Sequence, residues 1–305
     1  MDRLNSMRHF IEVVKESGFT PAASKLGLSR AQVSKSVMQL ESHLGTRLLN
    51  RTTRRISLTD IGRVYFERCL SILEDIDELE TSTGEHNSVP RGRLLICAPT
   101  SFGILHLQTA LTKYQSSFPE VQISISLSDR FIDVIKEGFD VVIRIAELED
   151  SSLIARKLAP CKRVFCASPE YLKQQGTPHK PEDLANHQCL IYSNELKPNS
   201  MGNPWKINGP QGIESVKVNG PMCADNGDML KAAALNHMGV TLLPTFIVGE
   251  DLKRGLLVQV LNEYCPPDIS IYAVFPSRRF LSAKIRSFVD HLALYFGEEP
   301  GWDKF

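Results

Sequence analysis

Apolar residues at three- and four-residue steps open the chain: Leu4, Met7, Phe10, Ile11 and Val14 form the stripe of an amphipathic helix closed by Gly18. Thr20-Pro21 predicts the next start, with Thr20 accepting an orphan backbone N–H and Pro21 at a first helical position that needs none. Ala22, Ala23 and Leu26 make this second helix short and closely packed, and Gly27 ends it. Ser29 and Gln32 then stand in the spacing of a capping box. Val33, Val37, Leu40 and Leu44 follow in steps of 4, 3 and 4, up to a cap at Gly45. Two helices joined by so tight a glycine turn form a helix-turn-helix, whose second helix can enter the major groove of DNA. With the valine–leucine stripe turned inward, Ala31, Lys35, Met38 and Ser42 lie on the far side, flanked by Ser34 and Gln39. Arg30, Ala31, Ser34 and Lys35 sit at the helix start, where Arg and Lys donate to guanine and small side chains allow close approach.

Beyond Gly45 a short alternation around Thr52-Thr53 predicts a small hairpin, or wing. Its Arg51, Arg54 and Arg55, with Thr53 among them, would sit on phosphates or in a minor groove; a solvated loop is the plain alternative. Thr59 offers an N-cap to a long charged helix. Along it Ile61, Tyr65, Cys69, Ile72, Ile76 and Leu79 run in steps of 4, 4, 3, 4 and 3, a narrow seam suited to a coiled-coil partner helix. The competing reading packs that stripe on its own domain. Gly84 to Gly92, containing Asn87-Ser88 and Pro90, reads as a hinge.

From Arg93 the period switches between two and three to four. Strands are predicted at 94–98, 121–127, 141–143, 163–167, 190–192, 216–218, 240–243 and 269–275. Helices are predicted at 102–114, 131–137, 228–237, 245–254 and 283–296. Such alternation implies parallel βαβ units and an α/β fold.

Length changes this picture little: 305 residues suit about two domains. Charge changes it more. Lys plus Arg and Asp plus Glu each number 35, yet residues 1–63 hold eleven basic against five acidic side chains, a net +6 that leaves −6 on the remainder. A basic head on an acidic body points to a polyanion partner for the head alone. Seven cysteines, an odd number without a Cys-x-x-Cys pair, fit reduced thiols in a cytoplasmic protein. No run of ~18 apolar residues predicts a membrane span, and the first ten residues lack a signal-peptide core. Nucleophile-elbow, phosphate-loop and metalloprotease signatures are missing from the sequence, and the eight His are scattered. The expectation is a chain that is not an enzyme and needs no cofactor or metal.

The residues Phe10, Ala22-Ala23-Ser24-Lys25-Leu26, Ser29, Val33-Ser34, Leu40-Glu41, Leu44-Gly45, Leu48-Leu49, Arg51, Arg54, Leu58-Thr59 and Gly62 resemble the LysR-type transcriptional regulators. Many members have Gln and Pro where this chain has Arg30 and Ala31, which implies a different base preference. The resemblance implies a winged helix-turn-helix at 1–58, a dimerising linker helix and hinge at 59–90, and a two-lobed periplasmic-binding-protein-like effector domain at 91–305. Lobe one would span about 91–163 plus 268–305, and lobe two about 164–267. Segments 137–144 and 242–244 carry this second part of the resemblance, less densely than the head. A homotetramer is the implied assembly. Double-stranded DNA would meet Ser29, Arg30, Ala31, Gln32, Ser34, Lys35 and Gln39, together with Arg51, Thr53, Arg54 and Arg55 of the wing. In the cleft, Thr100, Ser101 and Phe102 start a helix after a strand, where N–H and hydroxyl groups suit an anion. Ser128 and Arg130 follow the second strand, and Arg144 is expected to end the third. Ser193, Trp205, Asp225, Asn226 and Thr245 are the candidates from lobe two. N-capping by Thr100 and Ser101 and a structural ion pair at Arg144 are the competing readings. The expected effector is a small organic anion. The rival is a cytosolic solute-binding module or enzyme on the same two-lobe body, with the basic head serving assembly.

Overall fold

The computed structural model describes residues 2–51, 56–82, 89–130, 133–146, 153–193, 204–209, 212–264, 266–267, 269–276 and 281–304. The wing tip with Thr53, Arg54 and Arg55, most of the expected hinge, and the start of the helix expected at 131–137 lie outside them. The chain divides into two units, Met1–Val89 and Pro90–Phe305.

In the first unit α1 (Arg3–Lys15) starts at Asp2, whose carboxylate accepts the Asn5 N–H at 3.2 Å. The next helix, α2 (Phe19–Leu26), is capped by Gly18 and not by Thr20 as expected. Pro21 still fits, because it falls in the first turn, where backbone N–H groups have no partner inside the helix. Gly27 and Gly45 both adopt left-handed φ, at 67° and 66°, and end α2 and α3 (Arg30–Leu44). Val33, Val37 and Leu40 are buried with Phe10 and Val13 from α1 and Leu48 and Leu49 beyond α3. Leu44, expected on the same stripe, is 37% exposed because the last turn projects past this small core. The wing pairs β1 (Leu49–Arg51) with β2 (Ile56–Leu58).

Thr59 begins α4 (Asp60–Ser82), its Oγ1 accepting the Gly62 N–H at 2.9 Å. A Cβ at Gly62 would stand 2.0 Å from the Leu48 carbonyl oxygen, so the helix approaches the wing as closely as a bare backbone allows. The expected seam divides. Cys69 is buried in the head core with Leu73, and Tyr65 and Ile76 pack against it, whereas Ile61 and Ile72 are exposed together with Val64. The reading that packs the stripe in cis therefore holds for half of it, because a 23-residue helix is long enough to serve both.

The second unit begins with β3 (Gly92–Ala98), a short α5 (Thr100–Phe102), a π turn (Gly103–Leu107) and α6 (Gln108–Ser117). Next come β4 (Val121–Leu127), α7 (Val134–Glu137), β5 (Val141–Ala146) and β6 (Leu153–Cys161). The chain then builds a second sheet from β7 (Arg163–Ala167), α8 (Pro169–Gln175) and β8 (Cys189–Tyr192). A hairpin of β9 (Trp205–Gly209) and β10 (Gly212–Val216) intervenes before β11 (Met222–Ala224), α9 (Gly227–Leu235), β12 (Val240–Pro244), α10 (Thr245–Lys253) and β13 (Val258–Val260). It returns to the first sheet with β14 (Ile269–Pro276) and ends on α11 (Ala283–Phe296). The orders are β4-β3-β5-β14-β6 and β11-β8-β12-β7-β13. Strands β3, β4 and β5 are parallel, as are β8, β11 and β12; β14 and β7 run antiparallel to both neighbours.

The α/β class is as expected, with differences at the margins. The strand expected at 216–218 stops at Val216, inside the hairpin. Strand β6 is absent from the sequence reading because it forms a sheet edge, where exposed Arg156 and Lys157 and a proline at position 160 obscure its alternation. Strands β11 and β13 are edges of only three residues.

Candidate nucleic-acid interface and interlobe cleft

The start of α3 is secured by its own polar atoms. Ser29 Oγ accepts the Gln32 N–H at 3.2 Å, and Gln32 Oε1 accepts from the Ser29 N–H at 2.9 Å and the Ser29 hydroxyl at 2.8 Å. Ser29 and Gln32, both expected at DNA, thus hold the helix that presents the others. Arg30, Ala31, Lys35, Met38 and Gln39 are exposed on its outer side and Ser34 is half-buried. Ser36 on the inner side donates to Ser6 Oγ at 3.0 Å and fixes α3 against α1. Lys25 is turned the other way, onto Glu12 and Glu16; its ammonium, 2.8 Å from Glu16, holds that carboxyl below its ordinary pKa.

One contributor was not anticipated. Glu41 Oε1 accepts the N–H groups of Leu48 and Leu49, at 2.9 and 3.1 Å, and so anchors the wing to the last turn of α3. Its signal was slight: an acidic residue on a helix whose outward charges are basic. The backbone of Arg51 pairs with Ile56 at the inner end of the wing.

In the second unit the cleft lies where β3, β4, β8 and β11 end. Asp129, passed over between Ser128 and Arg130, is its centre. Its Oδ1 accepts the Thr100 N–H at 2.9 Å, and its Oδ2 accepts from Asn226 Nδ2 at 3.2 Å. Asn226 also caps α9, its Oδ1 accepting the Met229 N–H at 3.1 Å. One carboxylate therefore bridges α5 of the first lobe to α9 of the second. Tyr192, at the end of β8, faces the same group: burial, then the charges of Asp129 and Asp225, push its hydroxyl up to about 12. Ser101 in α5 and Ser193 just after β8 are buried, Ser128 Oγ accepts the Arg130 N–H at 3.3 Å, and Arg130 and Asp225 are exposed.

Four expectations need correction. Arg144 does not end its strand; it lies within β5, opposite Tyr272, half-buried, with burial lowering its pKa and Asp133 opposing that shift. Phe102 is fully buried against Phe246, Phe296 and Trp302. Trp205 packs on Phe165 in the core of lobe two, with ring centres 5.5 Å apart. Thr245 is buried, its N–H on the Lys162 carbonyl at 2.9 Å and its Oγ1 2.6 Å from Asp303. Phe102, Trp205 and Thr245 close the cores beneath the cleft, because neighbours of a cleft-facing position on a helix or strand can point away from it.

Among the described residues no helix is long and apolar enough to cross a membrane, and no His, Cys, Asp and Glu cluster suits a metal ion. The family model described as "Bacterial regulatory helix-turn-helix protein, lysR family" matches residues 4–63, and the one described as "LysR substrate binding domain" matches 87–296. An uncharacterised HTH-type transcriptional regulator of Haemophilus influenzae is 38% identical over 93% of this chain and 98% of its own length. The HTH-type transcriptional regulator DmlR of Escherichia coli is 36% identical, over 97% and 95%. Among solved structures, CrgA, a LysR-type transcriptional regulator from Neisseria meningitidis, superposes with a TM-score of 0.61 at 32% identity, covering 96% of this chain and 99% of that one. The Vibrio cholerae virulence activator AphB gives 0.60 at 27% identity, over 96% and 99%.

Proposed function

The chain belongs to the LysR family of DNA-binding transcriptional regulators with an effector-binding domain, and from that premise we propose how its residues divide the work. It is a regulator and not an enzyme, which removes the rival reading of a two-lobe catalyst. Residues 1–58 form the DNA-binding head, 59–90 the linker, and 91–305 the effector domain, with lobe one at about 91–163 plus 268–305 and lobe two between them. Arg30, Ala31, Ser34, Lys35 and Gln39 read the major groove, Ser29 and Gln32 stiffen the helix that carries them, and Arg51, Thr53, Arg54 and Arg55 track the backbone. The observation that carries this is the exposure of Arg30, Ala31 and Lys35 on one side of a helix whose other side is sealed into the head core.

The exposed apolar edge of α4, Ile61, Val64 and Ile72, serves contact with a second copy, and two such pairs make the homotetramer. The location is cytoplasmic. The effector is a small organic anion seated among Thr100, Ser101, Ser128, Arg130, Arg144, Ser193, Asp225 and Asn226. A carboxylate suits the Thr100 N–H and the Asn226 amide, since Asp129 already occupies both; the effector competes with Asp129 for them. Binding then shifts the lobes only by its differential affinity for the two arrangements.

Gel-shift titration against a two-fold-related site tests the head: affinity falls steeply with salt in the wild type, and Arg30→Ala relaxes the preference at one base pair. Salt-insensitive binding would refute the reading. Calorimetry with a panel of dicarboxylates tests the cleft. Asp129→Asn, which removes the internal competitor, is expected to bind them more tightly, and indifference of both proteins to every dicarboxylate would end the anion assignment while leaving the head untouched.

A further inference from the structure

A pocket of about 380 Å³ opens on lobe one between the π turn, the end of α11 and the segment Pro300–Trp302; Asp129 is not in its described lining. Three observations define what fits it. First, its walls are rings. His106 and Trp302 have centres 4.5 Å apart, Phe296 and Trp302 5.6 Å, and Tyr295 and Phe296 5.1 Å, while Leu105 and Thr109 complete the rim. Second, none of the eight described residues lining it carries a formal charge at neutral pH. His106 belongs to this neutral set: burial lowers its pKa, and its Nε2, 2.9 Å from the Phe246 carbonyl, must hold the ring proton to donate there. The nearby Lys113 ammonium is set over the Tyr295 ring, 4.8 Å from its centre, and is not part of the lining. Third, the Trp302 indole N–H is buried and reaches no acceptor among the described residues. A donor left in that condition is costly, and an acceptor that reaches it as the rings part around a ligand would relieve it.

The same wall holds the two lobes together on this side. His106 bonds the Phe246 carbonyl of α10, Trp302 meets the Phe246 ring edge-on, and Asp303 bonds Thr245. The rings also extend to Phe102, directly behind Thr100 and Ser101. A ligand here would press on the lobe junction.

We propose that this pocket is a second small-molecule site, selective for an uncharged aromatic compound bearing one hydrogen-bond acceptor that takes the Trp302 N–H. The volume lies in the range of small-ligand pockets and exceeds what one substituted ring requires. Ring walls favour stacking and edge contacts, and the missing counter-charge disfavours an ion. This site stands independently of the effector cleft.

Full-length protein labelled with 5-fluorotryptophan has two fluorine resonances, since Trp205 and Trp302 are the only tryptophans, and Trp302→Phe assigns them. Benzamide is expected to move the Trp302 resonance saturably, leave that of Trp205 in place, and do so equally in Asp129→Asn. Benzoate, an ion of the same shape, is expected to bind on the order of tenfold more weakly or worse. Thr109→Phe, which fills the pocket, abolishes the benzamide shift; Leu105→Phe at the exposed rim gives the same block should the first variant fail to fold. No saturable shift, undiminished binding in a folded filled variant, or benzoate binding as tightly as benzamide would each overturn the proposal.

Discussion

On the head, Arg30, Ala31 and Lys35 project outward from a helix whose start is tied by Ser29 and Gln32 and whose end is tied to the wing through Glu41. In the cleft the polar atoms turn on each other: Asp129 takes the Thr100 N–H and the Asn226 amide, and Asn226 in turn caps α9. The first region keeps its outward side chains apart from the bonds that support them. The second uses the same atoms for both purposes. A rigid reader of DNA gains by that separation, since its partner arrives already shaped. A switch gains by the overlap, since a ligand that takes over a bond holding one arrangement binds the two arrangements with different affinity.

Substitutions that break the contrast should fall in a graded order. Leu40→Ala empties the head core and is expected to cost about 2–5 kcal/mol in unfolding of the head, measured by thermal or urea melts, with the second unit unaffected. Arg30→Ala should leave melting unchanged but weaken specific DNA binding by about 1–3 kcal/mol in gel shifts, with relaxed preference at one base pair. Equal loss on every sequence would instead make Arg30 a phosphate contact. Asp129→Asn should lower the stability of the second unit by about 1.5 kcal/mol, the scale of a hydrogen bond to a charged group, and leave DNA-free head stability alone. Ser29→Ala should cost about 1 kcal/mol of head stability, with DNA affinity falling only through that loss. The smallest effect is a pH effect. Burial holds His106 neutral below its ordinary pKa of 6.5, so the unfolded chain binds the proton first. Stability of the second unit should therefore decline as pH falls through 6.5 toward the folded-state pKa and level off below it, and His106→Gln should flatten that slope in melts taken across the range.

Much of the head was legible because its signals are local. The Ser29–Gln32 box, the Gly27 and Gly45 stops and the Thr59 cap each lie within one helical turn of what they act on. The start of α2 was misplaced by the same logic: Thr20-Pro21 has the composition of a start, but Gly18, free of a side chain, lets the helix begin earlier. The seam on α4 could not be divided in advance, since Cys69 and Ile72 look alike along the chain and differ only in whether α1 stands opposite. The cleft was legible only as a location. Strand ends marked it, yet Phe102, Trp205 and Thr245 turn into the cores, and the bridge through Asp129 joins residues 97 positions apart. No periodicity records a pairing of that range.

The bare Cα of Gly62, seated on the Leu48 carbonyl, has a mechanical consequence. With no side chain between them, the long helix and the wing behave as spoke and rim of one wheel. A side chain grown at position 62 would have to push spoke and rim apart, and with them the angle at which the long helix leaves the head.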